Sequence, residues 1–221
     1  MKKLLILGGV GLAILLLLAV MGVFLLRWAA AQEPDFYAEA LEMPPEEQEQ
    51  ASEEMLQRAA DLRSAVEKPG RWEAVFSDEQ INGWLSVDLI RNHPRALPRG
   101  ISDPRVAVTV EAFQAACRFE QGTIRGILSL TCDVSVPRPN LVAIRIHRVA
   151  VGLVPLPMHR VIEAVTQAAE KNDVLLTWER VDGDPVAMIT IPPPQDTDEK
   201  RITLDTIQLA EGEIYLSGET K

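Results

Sequence analysis

An uncharged apolar segment near the amino terminus is the feature that most limits the folds open to this chain of 221 residues. Residues 4–26 read LLILGGVGLAILLLLAVMGVFLL and contain no charged side chain. In a helix, which rises 1.5 Å per residue, this segment reaches about 34 Å, enough to cross the roughly 30 Å hydrocarbon core of a bilayer with some tilt. The segment therefore predicts one transmembrane helix.

Two interpretations of this segment remain open, an uncleaved anchor and a cleaved signal peptide. Lys2, Lys3 and the small residues 29–31 suit a signal peptide, whose apolar region usually has about 7–15 residues. The apolar segment of this chain is longer. Arg27 and Trp28 follow it directly, and such residues are typical of the membrane interface. We therefore expect an uncleaved anchor.

The positive charges set the expected orientation. Two lysines precede the segment, whereas Arg27 is followed by no lysine or arginine until Arg58. Because positive residues stay on the cytoplasmic side, residues 1–3 are expected to form a cytoplasmic tip. The chain is then a single-pass protein of the cell membrane, with its main domain in the periplasm or outside the cell.

The exported part divides into a stalk and one domain. Residues 27–45 are acidic, hold three prolines and predict a stalk. Residues 46–221 predict an α+β domain, with helices at about 46–67, 78–90 and 158–171 from the spacing of apolar residues. Ser77 and Gln80 form a capping box at the start of the second helix.

A period of two dominates the middle of the chain. Residues 123–136, TIRGILSLTCDVSV, alternate polar and apolar side chains, which predicts one long strand with a wet face and a dry face. Neighbouring strands follow after short turns, which predicts a curved antiparallel β-meander packed against a few helices. A change of phase in the strand from residue 201 predicts a bulge near Asp205.

The two cysteines, Cys117 and Cys132, lie on either side of a predicted hairpin turn. A tight turn near residues 121–122 leaves Cys132 some 20 Å along the strand from the partner position of Cys117. Disulfide Cα atoms lie within about 7 Å of each other. We therefore expect small buried hydrophobic residues rather than a bridge.

Charge is uneven along a chain whose net charge is −10. All ten basic residues between positions 91 and 160 are arginine, against four acidic residues, whereas both flanks are acidic. Arginine binds phosphate and carboxylate in a planar fork, so these side chains meet either lipid headgroups or the acidic flanks of the same chain. An acidic exported protein is not expected to bind nucleic acid.

Motifs of known catalytic chemistry are absent from the sequence. It contains no nucleophile elbow, P-loop, dinucleotide fingerprint or zinc-protease helix. His93, His147 and His159 lie far apart and form no local ligand pattern. We expect no enzyme activity, no cofactor and no metal.

Three stretches carry a resemblance to known envelope proteins: FSDEQINGWL at 76–85, LVAIRIHRVAVGLVPLP at 141–157 and ITLDTIQLAEGEIYLSG at 202–218. Their order after an amino-terminal span resembles the YpmS-like single-pass bacterial envelope proteins. It is also similar to the LmeA-like phospholipid-binding proteins of the tubular, TULIP-like fold. The resemblance implies a role in lipid or membrane biology without catalysis.

Two functions follow from these expectations. The first is binding of a lipid or other apolar ligand in a groove between the sheet and the helix at 158–171; the second is assembly of the cell envelope through a protein partner. The arginines expected to contact a ligand or headgroup are Arg145, Arg148 and Arg160. The residues expected to line the groove are Leu128, Leu130, Ile144, Ile146 and Ile162.

Overall fold

The computed structural model describes Ala29 and residues 32–122, 124–192 and 201–221, with only the backbone of Ile124. The predicted cytoplasmic tip and the predicted transmembrane segment, residues 4–26, lie outside this part of the chain. Among the residues described, no helix has the length and apolar character needed to cross a membrane.

The described residues form five helices and ten strands, which confirms the predicted α+β class with a large antiparallel sheet. The helices are α1 (Asp35–Leu41), α2 (Pro45–Val66), α3 (Asp78–Ser86), α4 (Asp88–Asn92) and α5 (Met158–Lys171). The strands are β1 (Gly70–Ser77), β2 (Ile101–Val108), β3 (Phe113–Gln121), β4 (Ile124–Arg138), β5 (Leu141–Val151), β6 (Val154–Pro155), β7 (Leu175–Val181), β8 (Asp184–Thr190), β9 (Ile202–Ala210) and β10 (Glu213–Thr220).

The larger sheet has the order β2-β3-β4-β5-β8-β7, with β6 on the end of β5. Every pairing in it is antiparallel, and β2 to β5 are neighbours both in sequence and in space. Its longest strand is β4, with 15 residues, as the alternation of polar and apolar residues predicted. Its residues Leu128, Leu130, Cys132 and Val134 share one face, because side chains alternate along a strand, whereas Ile127 lies on the opposite face.

A second sheet, of order β1-β10-β9, packs against the first through β9 and β4. In β9, Leu204 pairs with Gly218 and Thr206 pairs with Ser217, which leaves Asp205 without a partner. The bulge predicted near Asp205 is therefore confirmed.

Helix α3 covers the free edge of β2 with its polar side chains. The amide of Asn82 donates to the Val106 carbonyl and accepts from the Val106 N–H, both at 2.8 Å. The capping box predicted at Ser77 and Gln80 is present. The predicted helix at 78–90 is interrupted at Val87, after which the short α4 begins, whereas α2 and α5 begin and end within one residue of their predicted bounds.

The segment predicted as a stalk is in part folded onto the domain. Within it, α1 packs against β2, and the side chain of Tyr37 is completely buried with Ala116 and Ile127. The Tyr37 hydroxyl donates to the Asp103 carbonyl at 2.9 Å, and burial raises the pKa of this phenol. The prediction of a stalk is wrong for α1, because the apolar side of this helix packs against the sheet.

The two cysteines are free and at least partly buried, as expected from register. Cys117 lies opposite Leu128, and Cys132 lies opposite Phe113. Burial raises the pKa of both thiols, that of Cys132 to about 11.

Candidate functional site

The apolar face of the large sheet brings together the four predicted groove residues that lie on strands. Leu128 and Leu130 of β4 lie opposite Val151 and Val149 of β5, and the next two pairs toward the other end are Cys132 with Ile146 and Val134 with Ile144. These pairs share one face because cross-strand partners point to the same side. Ile146 is 4% exposed, whereas Leu128, Leu130 and Ile144 are half-buried.

Helix α5 lies on this same side of the sheet. The Trp178 indole donates to the Thr166 hydroxyl of α5 at 2.9 Å. Trp178 lies opposite Ala187, and Ala187 lies opposite Ile144. Ile162, the fifth predicted groove residue, therefore belongs to a helix that lies over the face on which the other four residues are found.

The apolar side of α5 is only half-buried. Its residues Met158, Val161, Ile162, Val165 and Ala169 all have intermediate exposure, and no residue of the helix is buried. The helix packs mainly against β7, the edge strand of the sheet. An amphipathic helix normally buries its apolar side against a core, so the contact between α5 and the sheet is incomplete.

Two of the predicted arginines lie on the opposite face of the sheet. Arg145 pairs with Asp133, and Arg148 pairs with Thr131, and both positions alternate with the apolar residues. Arg160 lies on α5 and is exposed. The structure therefore places Arg160 on the side of the sheet that carries its apolar face, and Arg145 and Arg148 on the opposite side.

Arg145 belongs to a network of charged side chains on its own face. Its Nε donates to Asp184 at 2.9 Å, and its Nη1 donates to Asp182 at 3.3 Å. The hydrogen bond with Arg145 lowers the pKa of the Asp184 carboxyl and raises that of the guanidinium. The arginines were expected to meet either lipid headgroups or acidic residues of the same chain. Arg145 does the second, because it pairs with Asp184 and Asp182.

His147 completes this network in a way that the sequence did not reveal. Its Nε2 lies 2.8 Å from Asp133, and its Nδ1 lies 3.1 Å from Asp184. Thr131 pairs with Arg148 and Cys132 with Ile146, so His147 is an extra residue in β5. The sequence does not identify Asp184 as a partner of Arg145 and His147. The DGD stretch at 182–184 is typical of a turn and gives no sign that β8 pairs with β5.

A polar cavity of about 360 Å³ lies beside Arg148. None of the five predicted groove residues lines it. Its volume lies at the lower end of the usual range for ligand pockets, roughly 300–1,000 Å³, but its lining is largely polar. The residues that line it are Gln32, Glu33, Pro34, Asp35, Phe36, Gln114, Ser129, Thr131, Arg148, Gly152 and Leu153.

The three histidines lie in separate places. His93 faces Asp88, His147 lies in the network described above, and His159 is exposed on α5. In the part of the chain that the structure describes, no three residues among His, Cys, Asp and Glu are grouped so that they could hold a metal ion.

Comparison with protein-family models, with characterised proteins and with solved structures finds no match for this chain.

Proposed function

We propose that this chain is a non-enzymatic protein of the cell envelope that binds a lipid or other apolar ligand between α5 and the apolar face of the large sheet. Residues 4–26 anchor it in the membrane, with the amino terminus in the cytoplasm and the α+β domain outside. The observation that carries the proposal is the half-buried apolar side of α5, which has no buried residue.

The walls of the proposed groove suit an acyl chain. One wall is the apolar side of α5, and the other holds Leu128, Leu130 and Ile144, which are also half-buried. An acyl chain between these walls would remove apolar surface from water, which is favourable by roughly 25 cal/mol per Å². Arg160 is the one predicted headgroup contact on this side of the sheet.

Photo-crosslinking in the full-length chain tests this proposal. A benzophenone amino acid replaces Ile162, on the apolar side of α5, or Glu163, the exposed neighbour on the same helix. We expect irradiation of intact membranes to attach a lipid mass at position 162 and not at position 163. Equal lipid attachment at both positions, or attachment at neither, would contradict a groove.

A second function, assembly of the envelope through a protein partner, is favoured by the exposed acidic surface of α2. Ser52 is the buried residue of this helix, whereas Glu46, Glu47, Glu49 and Glu53 are exposed. A docking role predicts that reversal of these charges removes a protein that co-purifies with the native chain. An unchanged set of co-purifying proteins would count against this role.

A further inference from the structure

The described chain begins beside the turn between β5 and β6. The Leu153 N–H donates to the Ala29 carbonyl at 2.8 Å. Ala29 lies three residues after Leu26, the last residue of the apolar segment. The position of this turn is therefore tied to the end of the segment that we propose as the anchor.

The short stretch of chain from Leu26 to Ala29 limits the distance between the turn and the end of the apolar segment. Three residues span at most about 11 Å, even when fully extended. The headgroup layer of a bilayer is roughly 5–7 Å thick on each side. If Leu26 lies at the boundary of the hydrocarbon core, the backbone of Leu153 lies within or just beyond the headgroup layer.

The turn presents an apolar side chain at this place. Gly152 is buried, has a positive φ of 57° and donates its N–H to the Ile127 carbonyl at 2.7 Å. Leu153 follows it with 54% of its surface exposed. Arg148 is exposed and donates weakly to the Leu153 carbonyl, at 3.5 Å, so a cation stands beside the leucine.

The same turn lies at the end of the apolar face of the sheet. Val151 precedes Gly152 and lies opposite Leu128, the first predicted groove residue along β4. From there the apolar face runs away from the turn through Leu130, Cys132 and Val134. An acyl chain that left the bilayer beside Leu153 would meet this face first.

We propose that the Gly152–Leu153 turn rests on the bilayer surface, with Leu153 inserted among the lipid headgroups, and that the groove opens toward the membrane at this turn. This inference rests on the proposed anchor and deepens the proposed function by naming the bilayer as the source of the ligand. Insertion of a leucine side chain into the interface is favourable because it removes apolar surface from water.

Depth-dependent quenching in vesicles tests the contact. The full-length chain carrying Leu153→Cys is labelled with an environment-sensitive fluorophore and reconstituted in vesicles of phosphatidylcholine and phosphatidylglycerol that contain nitroxide-labelled lipid. Pro139→Cys is the matched control, because Pro139 is exposed in the turn at the other end of β4, roughly 40 Å along the strand from Ile127. The native chain supplies the labelling background, since burial keeps both native thiols poorly reactive.

We expect quenching at position 153 to exceed that at position 139 by about twofold or more, with a blue-shifted emission at 153 only. Equal quenching at the two positions, in a chain that still floats with the vesicles after an alkaline wash, would overturn this inference and leave the anchor intact. A chain that the wash removes from the vesicles would overturn the anchor and this inference together. Neither result depends on whether Ile162 crosslinks to lipid.

Discussion

At the scale of single residues, Asn140 joins the two sheets. It lies in the turn between β4 and β5 with a positive φ of 61°. Its side chain accepts from the Leu204 N–H at 2.7 Å and donates to the Ile202 carbonyl at 3.2 Å, and its own N–H donates to the Leu204 carbonyl. The residues PRPN at 137–140 are typical of a turn, but the sequence could not show that β9 lies beside it, because residue 202 is 62 positions from Asn140.

Asn140→Ala is expected to lower the free energy of unfolding by about 2–5 kcal/mol. The change removes two side-chain hydrogen bonds, at about 0.5–1.5 kcal/mol each, and places an alanine where asparagine tolerates the left-handed region, at about 1–2 kcal/mol. Urea unfolding measures the change. Asn140→Gly is the control, because it keeps the backbone conformation and loses only the side-chain bonds; equal stability of Asn140→Gly and the native chain would contradict this account.

The network around Arg145 predicts a dependence of stability on acid. Bonding to Arg145 lowers the pKa of Asp184 in the folded chain, so its contribution to stability is present above the unfolded value of about 3.9 and is lost as the pH falls through the folded pKa. We expect the melting temperature of the native chain to fall more steeply between about pH 5 and pH 3 than that of Asp184→Asn.

Asp182→Asn serves as the comparison, because Asp182 lies farther from Arg145, at 3.3 Å, and its side chain is 80% exposed. It should follow the native profile closely. Parallel profiles for the native chain and Asp184→Asn would show that the bond between Arg145 and Asp184 is not formed in solution.

At the scale of elements, α2 and α3 cross at Gly83. A Cβ atom placed there would lie 2.6 Å from the Ala51 Cβ, 2.7 Å from the Ser52 nitrogen and 2.8 Å from the Gln48 carbonyl oxygen. Distances below 3.0 Å force a neighbour to move, and the latter two atoms belong to the backbone of α2. The glycine therefore sets how closely these two helices approach.

Gly83→Ala is expected to change the stability of the chain through two effects of opposite sign. Helix propensity alone would stabilise α3 by about 1 kcal/mol, since alanine replaces glycine inside a helix. Overpacking against α2 is expected to prevail and to destabilise the chain by about 1–3 kcal/mol. Chemical unfolding decides between them, and a stabilised variant would mean that the two helices do not approach this closely.

Local patterns predicted single elements well. The alternation along β4, the apolar stripe of α5 and the capping box at Ser77 each depend on residues close in sequence. Two features were not predictable in this way. The extra residue at His147 depends on how β5 pairs with β4, and the folding of α1 onto β2 depends on contacts between residues as far apart as Tyr37 and Asp103.

At the scale of the whole molecule, the position of the groove residues follows from topology. Four of the five predicted residues, on β4 and β5, face one side of the large sheet because their strands are neighbours, and α5 with Ile162 lies on that side. The sequence could not assign Arg145 and Arg148 to the opposite face, since apolar residues occupy both phases of β5. The proposed groove therefore has apolar walls and, from the predicted set, a single flanking arginine, Arg160.

Native mass spectrometry of the full-length chain released from lipid nanodiscs tests this claim most directly. Ile162→Glu places a charge on the apolar side of α5, and Ala164→Glu adds the same charge on the exposed side of the same helix. We predict that the native chain and Ala164→Glu each retain one lipid that Ile162→Glu lacks. Equal lipid retention by all three chains, or a bare mass for the native chain, would contradict a lipid-binding groove between α5 and the sheet.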